Sequence, residues 1–423
     1  MKIKVIEKSY NEIMAERAEK KRPHKKPIRP NIFWRTLMSL VGTPDLMATH
    51  FSYEKRGMDK VKRGEHMFVL MNHSSFIDLE IIARVMYPRP FNIIATVDGF
   101  IGKDWLMRQI GCIPTKKFVA DATLVRDMLS VAKSHKSSLI MYPEAGYSFD
   151  GRATAMPDTL GKCVKMMAMP LVVVRTDGAY LRDPLYNNLQ RRRVKVSAVM
   201  ECLMSAEEVA EATPEQINGV IKEAFSFDAF AEQEARHIKI DEPFRADGIE
   251  RILYKCPACM AEGQTEGHGV AITCHACGKE YTLNEYGRIE SEGGAEFPHP
   301  TEWYDWEREQ VRRQIEEGEY SLDLDVDIMI IVDTKHLFKA GHGRLTHDPK
   351  QGFRLVSDDG QIDYTHKPGA SYSLNSDFNW YELGDVICIG DGDCLYYCMP
   401  NKDRGVVAKA RLATEEIYKN LHK

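Results

Sequence analysis

Between residues 67 and 200, short apolar runs alternate with stretches of helical periodicity. The runs at 67–70, 91–94, 138–142, 171–175 and 194–200 read as strands, and the patterns at 79–85, 106–111, 122–134 and 159–168 read as helices. Such alternation predicts an α/β domain in which a mixed sheet is covered by helices, with chemistry in the loops at strand ends. A further helical stretch, 206–227, opens on the start signals Ser205 and Thr213-Pro214 and is expected to complete this domain. The pattern turns polar between Glu232 and Asp247, which sets the domain at 31–245.

Beyond that boundary the pattern changes twice. Residues 250–290 carry too few apolar positions for a core of their own. From 301 onward a charged helix, 303–317, precedes short strands at 322–332, 343–346, 352–356, 361–365, 371–374, 380–383, 386–389 and 394–399. Turn signals such as Asp358-Asp359-Gly360 and Gly390-Asp391-Gly392-Asp393 separate them, and an amphipathic helix, 404–421, closes the chain. This mainly-β unit, 301–423, resembles the pleckstrin-homology-like barrel in topology alone. That resemblance implies an accessory role.

Composition narrows the class. Apolar residues make up 43% and charged residues 28% of the 423, the proportions of a globular chain with room for several cores. No run reaches the roughly 18–20 apolar residues of a spanning helix, and the first residues form no signal-peptide core. A cytoplasmic location is therefore expected, in which the ten cysteines are thiols or metal ligands. Cys256-Pro257-Ala258-Cys259 and Cys274-His275-Ala276-Cys277-Gly278 have the paired-knuckle spacing of a zinc ribbon. Four thiolates at about 2.3 Å around one structural Zn would hold residues 250–290 together. The other six cysteines show no pairing and are expected as buried hydrophobes.

Charge is uneven. Residues 1–30 hold ten Lys and Arg against four Glu, so this segment is +6 and the remainder −11, for a net −5. The cluster Lys20-Lys21-Arg22-Pro23-His24-Lys25-Lys26 precedes a helical pattern with Phe33, Leu37 and Leu40 on one face and Trp34, Met38 and Val41 beside them. A basic patch next to an amphipathic Trp/Phe helix suits an anionic membrane surface, where each basic residue contributes about 1 kcal/mol. The alternative is a solvated tail and a helix packed on its own domain.

Chemistry is concentrated after the first strand. Asn72-His73-Ser74-Ser75-Phe76-Ile77-Asp78 places an imidazole and a carboxylate at a strand end, the pairing by which a general base is oriented. Four further segments accompany it: Ile110-Gly111-Cys112-Ile113-Pro114-Thr115-Lys116-Lys117, Tyr142-Pro143-Glu144-Ala145-Gly146-Tyr147-Ser148, Asp150-Gly151-Arg152, and Met169-Pro170-Leu171. In order and spacing, residues 50–200 resemble the glycerophospholipid acyltransferase family, the lysophosphatidic acid acyltransferases. That family has an NHxSxxD block, a glycine-to-arginine block, a PEG-type block and a proline-led strand.

The resemblance implies His73 as general base and Asp78 as its orienting partner. It assigns substrate binding to Asn72, Gly111, Lys116, Lys117, Glu144 and Gly146. Lys117 falls where the family has an arginine, which keeps the charge and loses the bidentate fork. Tyr147 replaces a second family arginine, leaving Arg152 as the candidate substitute, and a lysophospholipid other than lysophosphatidic acid becomes an open option. The implied reaction moves an acyl chain from acyl-CoA or acyl carrier protein to a lysophospholipid hydroxyl. The expected setting is the inner face of a membrane, peripherally bound. Two other classes compete: a lipid-binding scaffold built on an acyltransferase-like domain, and a nucleic-acid binder acting through the ribbon. The intact His73/Asp78 pair opposes the first. The second is opposed by the ribbon's own charges, Arg251, Lys255, Lys279 and Arg288 against Glu262, Glu266, Glu280, Glu285 and Glu290, and no nucleic-acid partner is expected.

Overall fold

The computed structural model describes residues 3–19, 24–119, 121–332, 334–400 and 405–422. Its first unit is built on a seven-stranded sheet in the order Ser52–Arg56, Ser197–Met204, Leu171–Asp177, Phe68–Met71, Ser138–Met141, Phe91–Thr96, Cys112–Thr115. All neighbours are parallel except Leu171–Asp177 against Ser197–Met204, so the sheet is mixed. Phe68–Met71 lies at its centre and is buried along its whole length. Because side chains alternate, Phe68 and Leu70 join one core with Leu139, Leu171 and Val173. Val69 and Met71 join another, on the opposite face, with Ile81, Ile82 and Val172.

Five of these strands lie where the apolar runs placed them. The two edge strands, Ser52–Arg56 and Cys112–Thr115, were not expected. Every residue of the first is exposed, so no burial pattern marks it, and the second contains Pro114, which a ladder admits only at an edge. Helix Ile32–Val41 starts where the sequence indicated, capped by Asn31, whose side chain accepts from the Trp34 amide at 3.1 Å.

Residues 265–290 form a four-stranded antiparallel sheet in the order Ile289–Glu290, Glu280–Leu283, Ala271–Cys274, Thr265–His268. It has no core apart: Ile272, Tyr281, Leu283 and Ile289 belong to one continuous cluster with Trp303 of helix Pro300–Glu317 and Tyr186 of the first unit. The Trp303 indole donates to the Lys255 carbonyl at 2.9 Å, fastening helix to ribbon.

The third unit is a sheet of two antiparallel meanders, Leu322–Ile330 to Asp363–His366 and Asn375–Trp380 to Leu395–Pro400, joined where Leu322–Ile330 pairs Leu395–Pro400. Helix Val406–Leu421 packs against it and against Pro300–Glu317. Two expected strands differ: 371–374 is bent chain and 381–383 is a turn, because the strand between them runs Asn375–Trp380.

The N-terminal segment also differs from a basic tail. Val5–Glu7 pairs in parallel with Leu337–Lys339 as an eighth strand of the third unit's sheet, and Ile13 of helix Tyr10–Glu19 is fully buried in the common core. Lys20 to Pro23 of the basic cluster fall outside the described residues. Of the rest, His24 meets Asp127 at 2.9 Å and Lys25 meets Asp104 at 2.8 Å.

Candidate active site

His73 stands in the loop between the carboxyl end of Phe68–Met71 and helix Ile77–Met86. Asp78 sits in that helix's first turn, where the N-terminal dipole favours a negative charge. Its Oδ2 accepts from the amides of Ser74 at 2.7 Å and Ser75 at 3.1 Å and lies 3.0 Å from His73 Nδ1. An oxygen that already accepts two amide protons faces the ring as an acceptor, so Nδ1 is the donor. Nε2 is then the basic nitrogen.

Two tyrosines hold the ring from its faces. The Tyr142 and Tyr147 centroids lie 4.1 and 4.0 Å from that of His73, tilted by 26° and 31°. Burial raises both phenols well above their ordinary range, so each stays neutral. Two π-faces stabilise an imidazolium formed between them, by roughly 0.5–2 kcal/mol for a cation over an aromatic ring. Burial lowers the His73 pKa, opposed by the Asp78 hydrogen bond and charge and assisted by Lys117. The resting ring is therefore neutral near pH 7 and able to take a proton.

Asn72 and Glu144 are engaged by the chain itself. The Asn72 amide donates to the hydroxyls of Ser74 and Thr176 at 2.9 Å each and accepts from the Thr176 amide at 2.8 Å, tying two strand ends together. Glu144, 1% exposed, accepts from the His73 amide at 3.2 Å and the Thr154 amide at 2.9 Å, and burial pushes its carboxyl up to about 7. Both side chains position the histidine loop.

The expected glycines and cations separate in the same way. Gly111 has φ +93, and a Cβ there would lie 2.5 Å from Pro30 Cγ and 2.8 Å from the Phe91 carbonyl, so the backbone and its neighbours require glycine. A Cβ on Gly146 would meet nothing within 4 Å. Lys116 donates to the Gly392 carbonyl of the third unit. Arg152, the candidate substitute for the missing arginine, is instead held by Asp150 at 2.7 Å, by the Thr301 carbonyl at 3.0 Å and by Asp305 at 2.8 Å on helix Pro300–Glu317. These bonds tie the first unit to that helix. Lys117 is the cation whose charge acts on His73.

The four cysteines expected as ligands converge: their Sγ atoms all lie within 4.8 Å of one another. Cys256 and Cys277 are 3.9 Å apart, Cys259 and Cys274 3.7 Å. Tetrahedral sulfurs about 2.3 Å from a common ion are roughly 3.8 Å apart, so the set fits a metal ion.

Residues 52–175 match the family model described as Acyltransferase. The matched residues contain His73, Asp78 and Glu144. Among solved structures the chain is similar to the 1-acyl-sn-glycerophosphate (LPA) acyltransferase PlsC from Thermotoga maritima. The identity is 15% and the TM-score 0.38, with 45% of this chain and 76% of that chain covered. No curated protein matches the chain.

Proposed function

We propose that this protein is an O-acyltransferase that moves a fatty acyl chain from a thioester, acyl-CoA or acyl carrier protein, to the free hydroxyl of a lysophospholipid. The observation that carries this reading is the bond from His73 Nδ1 to an Asp78 carboxylate already fixed by two amides. Nε2 takes the acceptor hydroxyl's proton as its oxygen attacks the thioester carbonyl. The C–S bond then breaks as the tetrahedral intermediate collapses, and the proton passes from Nε2 to the departing sulfur. Asp78 and the two tyrosine faces stabilise the imidazolium in between. Asn72 and Glu144 hold the loop that presents the ring.

A pH profile tests the base. Because burial lowers the His73 pKa, the neutral form persists below the ordinary imidazole value of about 6.5. The acid limb of kcat/KM is expected with its midpoint under that value. A limb centred well above 7 would show that another group limits the reaction.

The membrane reading is supported by a set of exposed apolar side chains. Trp34 and Met38 of helix Ile32–Val41 turn inward, while Phe33, Leu40 and Val41 remain 62%, 62% and 70% exposed. Trp105 is also exposed and meets Trp34 with centroids 5.5 Å apart, and exposed Phe76 meets Tyr147 at 5.7 Å. No helix among the described residues is long and apolar enough to cross a membrane, and these exposed side chains suit peripheral attachment. Burying a Phe or Leu side chain contributes about 1.5–3 kcal/mol. The pair Phe33→Asp and Leu40→Asp should therefore cut partitioning onto anionic vesicles at least tenfold with Tm unchanged, read by co-sedimentation. Undiminished binding would remove this surface from the reading.

The cysteine set is assigned to a structural zinc ion, which would supply a fixed tetrahedral crosslink. Two meanders joined through their first and last strands, followed by a helix, support the pleckstrin-homology-like reading of the third unit.

A further inference from the structure

A cavity of about 330 Å³ lies where the first unit meets helices Pro300–Glu317 and Val406–Leu421. That volume is at the low end of the roughly 300–1,000 Å³ of small-molecule sites. The first unit contributes Phe149, Thr154, Phe225 and Phe227 to its walls, and the two helices contribute Tyr304 and Arg411. The joint around it is fixed: Phe378 stacks on Phe149 with centroids 4.2 Å apart, and the Trp380 indole donates to Asp98 Oδ2 at 3.1 Å, just past the carboxyl end of strand Phe91–Thr96. The third unit is thereby seated on the same sheet edge that carries His73.

Three arginines line the cavity, and two of them are fully engaged. Arg152 is held by Asp150 at 2.7 Å and Asp305 at 2.8 Å, and Arg308 by Glu415 at 2.7 Å and Glu416 at 3.2 Å. Arg411 is different. It is 4% exposed and lies over the Phe149 ring, with its Cζ 4.3 Å from the centroid. Its hydrogen bond is a long one, 3.4 Å from Nε to Glu415, a carboxylate that also accepts from the Ser373 hydroxyl at 2.7 Å. The two terminal nitrogens of Arg411 have no partner among the described residues and open onto the cavity. Tyr304, also 4% exposed, lines the same space, and its hydroxyl has no hydrogen-bond partner among the described residues. Burial raises that phenol, opposed by the Arg411 and Arg308 charges, so it remains a neutral donor.

The free edge of a guanidinium fits a planar carboxylate, which takes two parallel N–H···O bonds. A phosphate monoester, with a charge of about −1.5 to −2 at pH 7, would also face Asp150, Asp305 and Glu415 on the same walls. A single negative charge therefore suits the one open cation, and the phenylalanine rings suit an apolar body. His73 does not line this space. Glu144 stands between them, accepting from the Thr154 amide of the cavity wall at 2.9 Å on one oxygen and from the His73 amide at 3.2 Å on the other.

We propose that this cavity binds a small monocarboxylate with an apolar body, its carboxylate on the terminal nitrogens of Arg411 and the Tyr304 hydroxyl and its body against Phe225 and Phe227. The site is separate from the acyl-transfer centre, and its occupancy does not depend on the acyltransferase reading.

Isothermal titration calorimetry of the full, metal-loaded chain tests this with octanoate, 3-phenylpropionate, octylammonium and inorganic phosphate. At least one carboxylate is expected to bind in one equivalent with a Kd at or below about 1 mM, within reach of roughly ten non-hydrogen atoms. Octylammonium and phosphate should bind at least about tenfold more weakly. The tighter carboxylate tells whether the body is an aliphatic chain or an aromatic ring. Arg411→Gln should weaken binding at least about tenfold, and Tyr304→Phe, which keeps the ring, about three- to tenfold. His73→Gln should bind as the wild type does. Failure of both carboxylates to saturate by about 10 mM overturns the proposal. So does either other probe binding as tightly as the carboxylates, or undiminished binding in folded Arg411→Gln. Loss of binding in His73→Gln would place the ligand at the reaction centre and overturn it as well. If Arg411→Gln does not fold, Tyr304→Phe decides in its place.

Discussion

Replacing His73 by alanine is expected to lower acyl transfer by about 10²–10⁴-fold, the range that a positioned general base contributes. The geometry sets the size of the effect. His73 Nδ1 is fixed on Asp78 at 3.0 Å and the ring is clamped between two tyrosines about 4 Å away, so no neighbouring base can swing into the position of Nε2. Both tyrosines are held neutral by burial and serve poorly as bases, and both Glu144 oxygens already accept backbone amides. Alanine also leaves a gap between the rings, so His73→Gln is the companion variant: it fills the slot with a side chain that cannot take a proton. Both proteins should keep the wild-type circular dichroism spectrum and bound metal. Turnover within tenfold of wild type in either folded variant would remove His73 from the chemistry.

The pair at the centre of this prediction was legible because it is local. Asn72, His73 and Asp78 fall within one strand-to-helix turn, and both the apolar run before them and the helical pattern after them carry their own periodicity. The central strands were legible for a related reason: burial on both faces leaves continuous apolar runs such as Phe68–Met71. What escaped is encoded over long separations. The link from Asp98 to Trp380 and the stack of Phe149 on Phe378 join residues more than two hundred positions apart, and no spacing rule connects them. The departure at Tyr147 was visible in the sequence, but its role against the His73 ring requires the fold that turns it inward. The basic charge of the first thirty residues masked the short apolar alternation that makes Val5–Glu7 a strand of the distant third unit. Arg152 shows the converse. A cation near the site in sequence was a reasonable phosphate ligand until Asp305, on a helix beyond the ribbon, was found holding it.

Stripping the metal is expected to unfold far more than the ribbon. A structural zinc in small metal-dependent units contributes about 10–16 kcal/mol of apparent folding free energy at pH 7, comparable to the 5–15 kcal/mol that a whole protein retains. In this chain the effect has a route to the other units. Ile272, Tyr281 and Leu283 of the ribbon share one core with Trp303, Tyr186 and Phe149. The Lys255 amide, next to the first cysteine, donates to the buried Glu307 at 2.7 Å. Helix Pro300–Glu317, so anchored, presents Asp305 to Arg152 and Arg308 to Glu415 at 2.7 Å, on the helix that closes the chain. Loss of the ion should therefore loosen the third unit's seat over the catalytic face along with the ribbon. Excess chelator, or Cys274→Ser in its place, is expected to lower Tm by at least about 10 °C, given a few degrees per kcal/mol in a chain of this size class. Acyl transfer should fall in parallel, and elemental analysis of the untreated protein should find one zinc per chain. A stripped protein that keeps its Tm while losing that zinc would confine the metal to a local role. Finding no metal at all would leave the four sulfurs, 3.7 and 3.9 Å apart in pairs, as packed thiols.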